Sequence, residues 1–249
     1  MEQFNSHYES HEHSLQTLQL VREYDDFLDS LSVIADMGCG YGLDIEWFAT
    51  LTDRQEEPQP YNYTCYAVDK DILKIKRKLP SNVIPIEKDF SERCIPRSID
   101  WIWCHDAFQY STNPLQTLKT WNEQMTPNGM LTIILPQSYG YLYNRLVKRS
   151  YNHVFFEYNV CNLIYMLAVN GFDCKDSYVK KLPNDPWIYI SAYKSDISPM
   201  IPEKTTWYDL IDANLLHDSI ANSIKNYGFL RQEDILMPWL DKNLYFVSD

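Results

Sequence analysis

The sequence predicts an α/β protein whose parallel sheet is wrapped by helices on both faces, and three observations carry that expectation. Short apolar runs alternate with amphipathic stretches between residues 32 and 136, and strands separated by helices build parallel sheets through crossover connections. The stretch VIADMGCGYGLDIEWF, residues 33 to 48, spends three of the chain's seven glycines within five positions at a strand-to-helix junction. Glycine tolerates φ > 0 and lets another molecule approach the main chain, so the cluster points to a ligand at the carboxyl end of the first strand. With 249 residues, 45% of them apolar and 14% aromatic, the chain can fill a sizeable core.

The elements follow in order. Residues 15 to 31 place Leu20, Tyr24, Phe27, Leu28 and Leu31 at helical spacing. Ser32 to Met37 reads as strand one, with a helix from about Leu43 to Leu51 beyond the glycine turn. TDRQEEPQPYN is polar, holds two prolines and reads as a surface loop. TCYAVD is strand two, DILKIKRKL a short helix, NVIPIEKD strand three and IDWIWCHD strand four. PLQTLKTWNEQM is a helix with Leu115, Leu118 and Trp121 on one side, and GMLTIILP is strand five.

Past residue 137 the pattern changes. Residues 138 to 158 are rich in tyrosine and phenylalanine, and NVCNLIYMLAVNGF reads as a helix with Gly171 as its C-terminal cap. Two β-like runs around Pro-Asn-Asp-Pro form a hairpin in DSYVKKLPNDPWIYISAYK. From residue 196 a Pro-bearing linker leads into a tail where Leu216, Ile220, Ile224 and Tyr227 make a helical stripe ended by Gly228. The expected organisation is a domain over residues 1 to 195, with a helical cap at 1 to 31, and a helical extension over 196 to 249.

Charge and cysteine content exclude several classes. A formal charge of −12 repels phosphate backbones, which disfavours nucleic acid as a partner. No apolar run approaches membrane-spanning length and no secretory leader pattern follows Met1, so the expected location is the cytoplasm. Cysteines at 39, 65, 94, 104, 161 and 174 form no C-x-x-C pair, which suits free thiols in a reducing compartment. His7, His11 and His13 cluster, but His11 and His13 do not share a helical face, and no metal site is expected.

A dinucleotide-binding turn follows G-x-G-x-x-G. Here Gly38 and Gly40 fit, position 43 is leucine, and the spacing is instead G-x-G-x-G with Gly42 third. DMGCGYG resembles motif I of the class I S-adenosylmethionine-dependent methyltransferases, and further motifs arrive in that family's order between residues 30 and 194. Asp69 closes strand two in YAVDKD, Asp89-Phe90 closes strand three, IDWIWCHDAFQY matches the strand-four motif, and MTPNGMLTIILP is similar to the turn into strand five. Asn128 replaces one glycine of that turn, and asparagine tolerates left-handed geometry.

The resemblance implies a Rossmann-like, doubly wound, mostly parallel seven-stranded sheet with an antiparallel last strand. It implies S-adenosylmethionine as cofactor and S-adenosylhomocysteine as product. Asp69 would accept from the ribose hydroxyls, Asp89 and Phe90 would meet the adenine, and Asp36 would sit near the methionine ammonium. Gly38, Cys39, Gly40, Tyr41, Gly42, Lys70, His105 and Asp106 are assigned to the same cofactor surface. A carboxylate suits the ribose because it offers several lone pairs and no donor. The bland readings are a packing role for Cys39 and Phe90, and turn organisation for Asp36 and Asp69.

Methyl transfer from a sulfonium needs mainly a nucleophile held in line, with a base only where the acceptor loses a proton. His105 is the first candidate base and Asp106 the second, with lining of the cofactor pocket or capping of a helix as the alternative for His105, and Tyr110 is the candidate for orienting the acceptor. CHDAFQY carries neither the Pro-Pro-aromatic nor the Pro-Cys signature of the DNA-modifying branches, so a small-molecule acceptor is expected, with residues 138 to 158 as its cap. An NAD-dependent oxidoreductase and a catalytically silent cofactor-binding protein on the same fold are the alternatives.

Overall fold

In the computed structural model, residues 25–52, 59–136, 156, 158–181 and 187–228 are described. Six helices and seven strands are assigned among them. They are α1 (Asp25–Ser30), β1 (Val33–Met37), α2 (Leu43–Ala49), β2 (Thr64–Asp69), β3 (Val83–Glu87), β4 (Ile99–His105), α3 (Pro114–Gln124) and β5 (Met125–Pro136). They continue as α4 (Val160–Val169), β6 (Phe172–Lys181), β7 (Trp187–Lys194), α5 (Trp207–Asp212) and α6 (Asp218–Tyr227). One sheet takes the order β3-β2-β1-β4-β5-β7-β6. The first five strands pair in parallel, and β7 pairs antiparallel with both β5 and β6. This is the parallel α/β sheet with a closing hairpin that the alternation predicted, and the seven-stranded Rossmann-like order that the resemblance implied.

Burial explains which strand sits where. β1 is buried at all five positions, as a central strand covered on both faces must be. β3 holds Pro85, which cannot donate to a ladder, and it lies at the sheet edge where that omission is tolerated. Along β4 the side chains alternate: Trp101 and Trp103 pack with Leu28, Ile45 and Phe48 under α1 and α2. Ile102 and Cys104 face the other way, into the core beneath α3 and α4. Phe48 meets Trp101 edge-on at 4.8 Å, an arrangement aromatic quadrupoles favour.

Several expectations are corrected. Residues 71 to 79 form only a 3-10 turn, Ile72–Lys74, rather than a helix. Lys74, Lys76, Arg77 and Lys78 would crowd like charges along one helical turn, and the glycine loop recruits the segment instead. Strand three ends at Glu87, so Asp89 and Phe90 lie beyond it. Strand five begins at Met125, four residues before Gly129, and Asn128 adopts φ +60 in the left-handed region as expected. Leu216 precedes α6 and forms a parallel bridge with Cys174, while Tyr227 is 55% exposed and does not share the buried stripe.

The tail beyond residue 195 is built into the main core: Leu210, Leu215, Leu216, Ile220 and Ile224 pack in the same cluster as α3 and α4. Gly171 caps α4 with φ +79, and its N–H donates to the Ala168 carbonyl. The expected N-terminal helix is described only over Asp25–Ser30. His7, His11, His13 and most of the 138 to 158 cap lie outside the described residues, as does the hairpin turn.

Candidate functional site

The strand order reverses direction between β1 and β4, and in open α/β sheets ligands bind outside the carboxyl ends of the strands at such a switch point. The glycine loop leaves the end of β1, and His105 closes β4 beside it. The fold therefore brings the two most distinctive sequence motifs to one crevice.

Each loop glycine has a different reason. A Cβ on Gly38 would lie 2.3 Å from that of Ala107, so the loop must pass close to the chain after β4. Gly42 caps α2 in the left-handed region (φ +70), and a Cβ there would press on Ile75 at 3.1 Å. Gly40 (φ +52) has no heavy atom within 4 Å of its Cβ position. Its bare face opens on space that a ligand can use.

The loop's amides are largely engaged. Gly38 and Cys39 donate to the Val68 carbonyl at 2.8 and 3.0 Å, Gly40 donates to Asp69 Oδ2 at 3.0 Å, and Gly42 donates to the Cys39 carbonyl at 2.8 Å. Asp69 Oδ1 accepts from the Asp71 amide at 2.8 Å, and Lys74 Nζ stands 3.9 Å away. Arg77 clasps the loop from outside, donating to the Tyr41 carbonyl at 3.2 Å and pairing with Glu46 at 2.7 Å.

Acidic groups gather here. Asp36 is 2% exposed, and burial, reinforced by the charges of Asp44 and Asp69, holds its carboxyl well above the usual carboxylate range against a hydrogen bond from the Ile45 amide. Burial alone would raise Asp89, but Lys70 Nζ at 2.8 Å and two hydrogen bonds from Ser91 prevail and hold it below that range. Phe90 is 8% exposed, its ring against Trp121 and near Gly38. Cys39 is buried in the α2-side core and its thiol is pushed up by burial, which suits packing and not nucleophilic chemistry.

At the end of β4, His105 Nδ1 lies 3.0 Å from Asp44 Oδ2, the same oxygen that accepts from Trp103 Nε1 at 2.9 Å. Burial works to lower the imidazole's pKa, but the hydrogen bond and charge of Asp44, with Asp106 beyond, outweigh it and raise the value above 6.5. Protonated His105 accordingly stabilises the fold fully below about pH 6.5, and that contribution is lost as pH rises through the higher folded value. Asp106 follows in the left-handed region (φ +50) and accepts from Gln109 Nε2. Tyr110 ends the 3-10 turn Phe108–Tyr110, half-buried.

Sequence reading missed Asp44, Gln109, Lys74 and Arg77. Asp44 had a usable signal: Trp103 and His105 share one face of β4 by the period of two, and α2 covers that face. Among the described residues no three metal-ligating side chains cluster, and no helix is long and apolar enough to cross a membrane. All six cysteines carry thiols rather than disulfides.

Residues 35–133 match a family model described as a methyltransferase domain. No curated protein sequence matches the chain. Among solved structures, a magnesium protoporphyrin IX methyltransferase from Synechocystis PCC 6803 with bound SAH superposes with a TM-score of 0.54 at 13% identity, over 75% of this chain and 84% of that one. A 1,6-didemethyltoxoflavin-N1-methyltransferase from Burkholderia thailandensis, holding its substrate and S-adenosylhomocysteine, gives 0.50 at 17% identity over 67% and 72%. A phosphoethanolamine N-methyltransferase 2 from Haemonchus contortus gives 0.52 at 15%, over 68% of this chain and half of that one. At these identities the likeness is one of fold.

Proposed function

We propose, from the premise that this chain carries a class I methyltransferase domain over residues 35–133, that it moves a methyl group from S-adenosylmethionine to a small or medium-sized acceptor at the crevice between β1 and β4. The observation that carries this reading is the open space over Gly40 beside an acidic cluster. Such a site fits a ligand bearing an ammonium and a sulfonium. It does not fit the diphosphate of NAD, which would meet Asp36, Asp44 and Asp69 and find the loop amides of Gly38, Cys39 and Gly40 already bonded.

S-adenosylmethionine supplies an activated methyl on a good leaving group. The chain's part is to hold and align. Asp69 would exchange its bond to the Gly40 amide for the ribose hydroxyls, with Lys70 and Asp89 bordering the adenine side and Phe90 offering a ring face. Gly38, Cys39, Gly40, Tyr41 and Gly42 would supply the floor, and Asp36 a carboxyl oxygen to accept from the ammonium. Asp106, fixed by Gln109, and Tyr110 face the acceptor side in this reading. The buried Gln109 Oε1 and Tyr158 hydroxyl have no hydrogen-bond partner among the described residues. An orphaned polar atom costs about 1–3 kcal/mol, which supports a polar ligand near this end of β4. For His105, an imidazole whose proton is held by Asp44 favours lining and positioning over proton abstraction.

Calorimetry with S-adenosylmethionine, S-adenosylhomocysteine and NAD tests the cofactor, with heat expected from the first two only. Turnover against a metabolite library tests the acceptor class, and binding without turnover would favour the silent alternative. Asp69→Ala should weaken S-adenosylmethionine binding by about 1.5–3 kcal/mol, the worth of charge-assisted hydrogen bonds. An unchanged isotherm would move the ribose site elsewhere.

A further inference from the structure

The Asp44 carboxylate joins two parts of the crevice that the chain separates by 61 residues. It projects from the first turn of α2, directly after the glycine loop, and reaches His105, the last residue of β4. One oxygen, Oδ2, takes both the Trp103 indole N–H and His105 Nδ1. The side chains of His105 and Asp44 are 6% and 9% exposed. A hydrogen-bonded ionic contact this buried resists rearrangement, because breaking it strands a charge out of water.

We propose that Asp44 is a positioning residue for cofactor capture: through His105 it ties the glycine loop to the end of β4, and the charge of that pair sets how tightly a cationic cofactor is held. The proposal rests on the reading that S-adenosylmethionine binds here.

The electrostatics follow from who faces whom. His105 meets Asp44 from α2 and Asp106 from the end of its own strand. Asp36 of β1 meets the same Asp44, and Asp69 of β2 stands beyond it. The Cys39 and Cys104 thiols around Asp36 are held neutral by burial. The cations facing this set are the imidazolium and, at its rim, Lys74 3.9 Å from Asp69 Oδ1, and the imidazolium partly cancels the field that would attract a ligand. S-adenosylmethionine carries a net charge of about +1 and S-adenosylhomocysteine about zero near neutral pH, through the sulfonium that only the former has. When His105 gives up its proton, the pair stays hydrogen-bonded through Nδ1–H while the site becomes more negative by one charge. Affinity for S-adenosylmethionine should then rise, and that for S-adenosylhomocysteine should rise less.

The test is calorimetry on the full chain between pH 5.5 and 8.5 with both ligands, alongside an NMR titration of the histidine ring signals with and without S-adenosylmethionine. The His105 signals are assigned by their loss in His105→Asn. In the parent, S-adenosylmethionine affinity should increase about threefold or more across the His105 titration, and saturation with that ligand should move the titration to lower pH. Asp44→Asn should weaken binding about tenfold and carry the pH limb downward, because a buried imidazole without its carboxylate loses its proton more readily. His105→Asn should abolish the limb, and the two losses combined should fall short of their sum.

Additive losses, or a limb unchanged in Asp44→Asn, would overturn the proposal while leaving the cofactor assignment intact. Should Asp44→Asn not fold, the parent titration decides alone, and a His105 midpoint that S-adenosylmethionine does not move overturns it. No heat with S-adenosylmethionine in the parent at any pH overturns the cofactor reading and this inference together.

Discussion

Gly40→Val is expected to abolish S-adenosylmethionine binding, by at least 100-fold, in a protein that remains folded. The position lies at φ +52 with no heavy atom within 4 Å of where a Cβ would stand. A Cβ there crowds no described residue, so the main cost to the fold is the left-handed backbone, about 1–2 kcal/mol. In a chain of this size that amounts to a fall in melting temperature of roughly 2–8 °C. The side chain would instead occupy the space a ligand needs. Gly40→Ala bears similar backbone strain with less bulk and should lose less affinity. Melting and calorimetry on the pair separate the two effects, and parent-like binding by Gly40→Val would remove the loop from the cofactor site.

Gly171→Ala is expected to be strongly destabilising for so small a substitution. At φ +79, its new Cβ would stand 2.4 Å from the Ile197 carbonyl oxygen, a backbone atom with no rotamer to give way. The Gly171 carbonyl also accepts from the Ser195 amide at 2.9 Å, Ser195 Oγ at 2.8 Å and Asn122 Nδ2 at 3.3 Å. A shift that relieved the clash would disturb all three. The expected loss is about 3 kcal/mol or more, combining left-handed strain with displaced packing. Gly228→Ala is the matched control: φ is +74, yet no described residue comes within 4 Å of its Cβ position, so the strain should dominate. Equal losses in the two variants by denaturant unfolding would mean that the crowding around Gly171 counts for nothing.

The sheet was legible because its signals are local. Buried parallel strands read as apolar runs, and both the Gly171 cap and the left-handed Asn128 have a chemical signature within a few residues. DILKIKRKL misled for the opposite reason. Its apolar residues have near-helical spacing, but Ile75 and Leu79 are drawn against Gly42 and Arg77 against Tyr41 and Glu46, contacts that no local pattern encodes. The glycine loop and Asp69 could be placed at the carboxyl ends of their strands from sequence alone. The Asp44–His105 contact was missed, since in sequence Asp44 looks like any acidic residue in a first helical turn and its one signal, the β4 face shared by Trp103 and His105, lies some sixty residues away. The tail was legible as a helix but not as core, because its partners, Cys174 among them, belong to the opposite end of the hairpin.

The strand order has a consequence for how the chain is made. β6 is synthesised before β7, yet it touches the sheet only through β7, which lies between it and β5. Until Lys194 has been added, Phe172–Lys181 has no ladder to join, and β5 presents an open edge of twelve residues. The core then waits for Leu215 and Leu216, which close over Cys174, and for Ile220 and Ile224 behind them. At about 5–20 residues per second, translation from the hairpin to α6 leaves that apolar face uncovered for on the order of seconds. During this interval the growing chain is an aggregation risk and a client for chaperones. Slower translation through the tail should lower the yield of folded protein even with no residue changed.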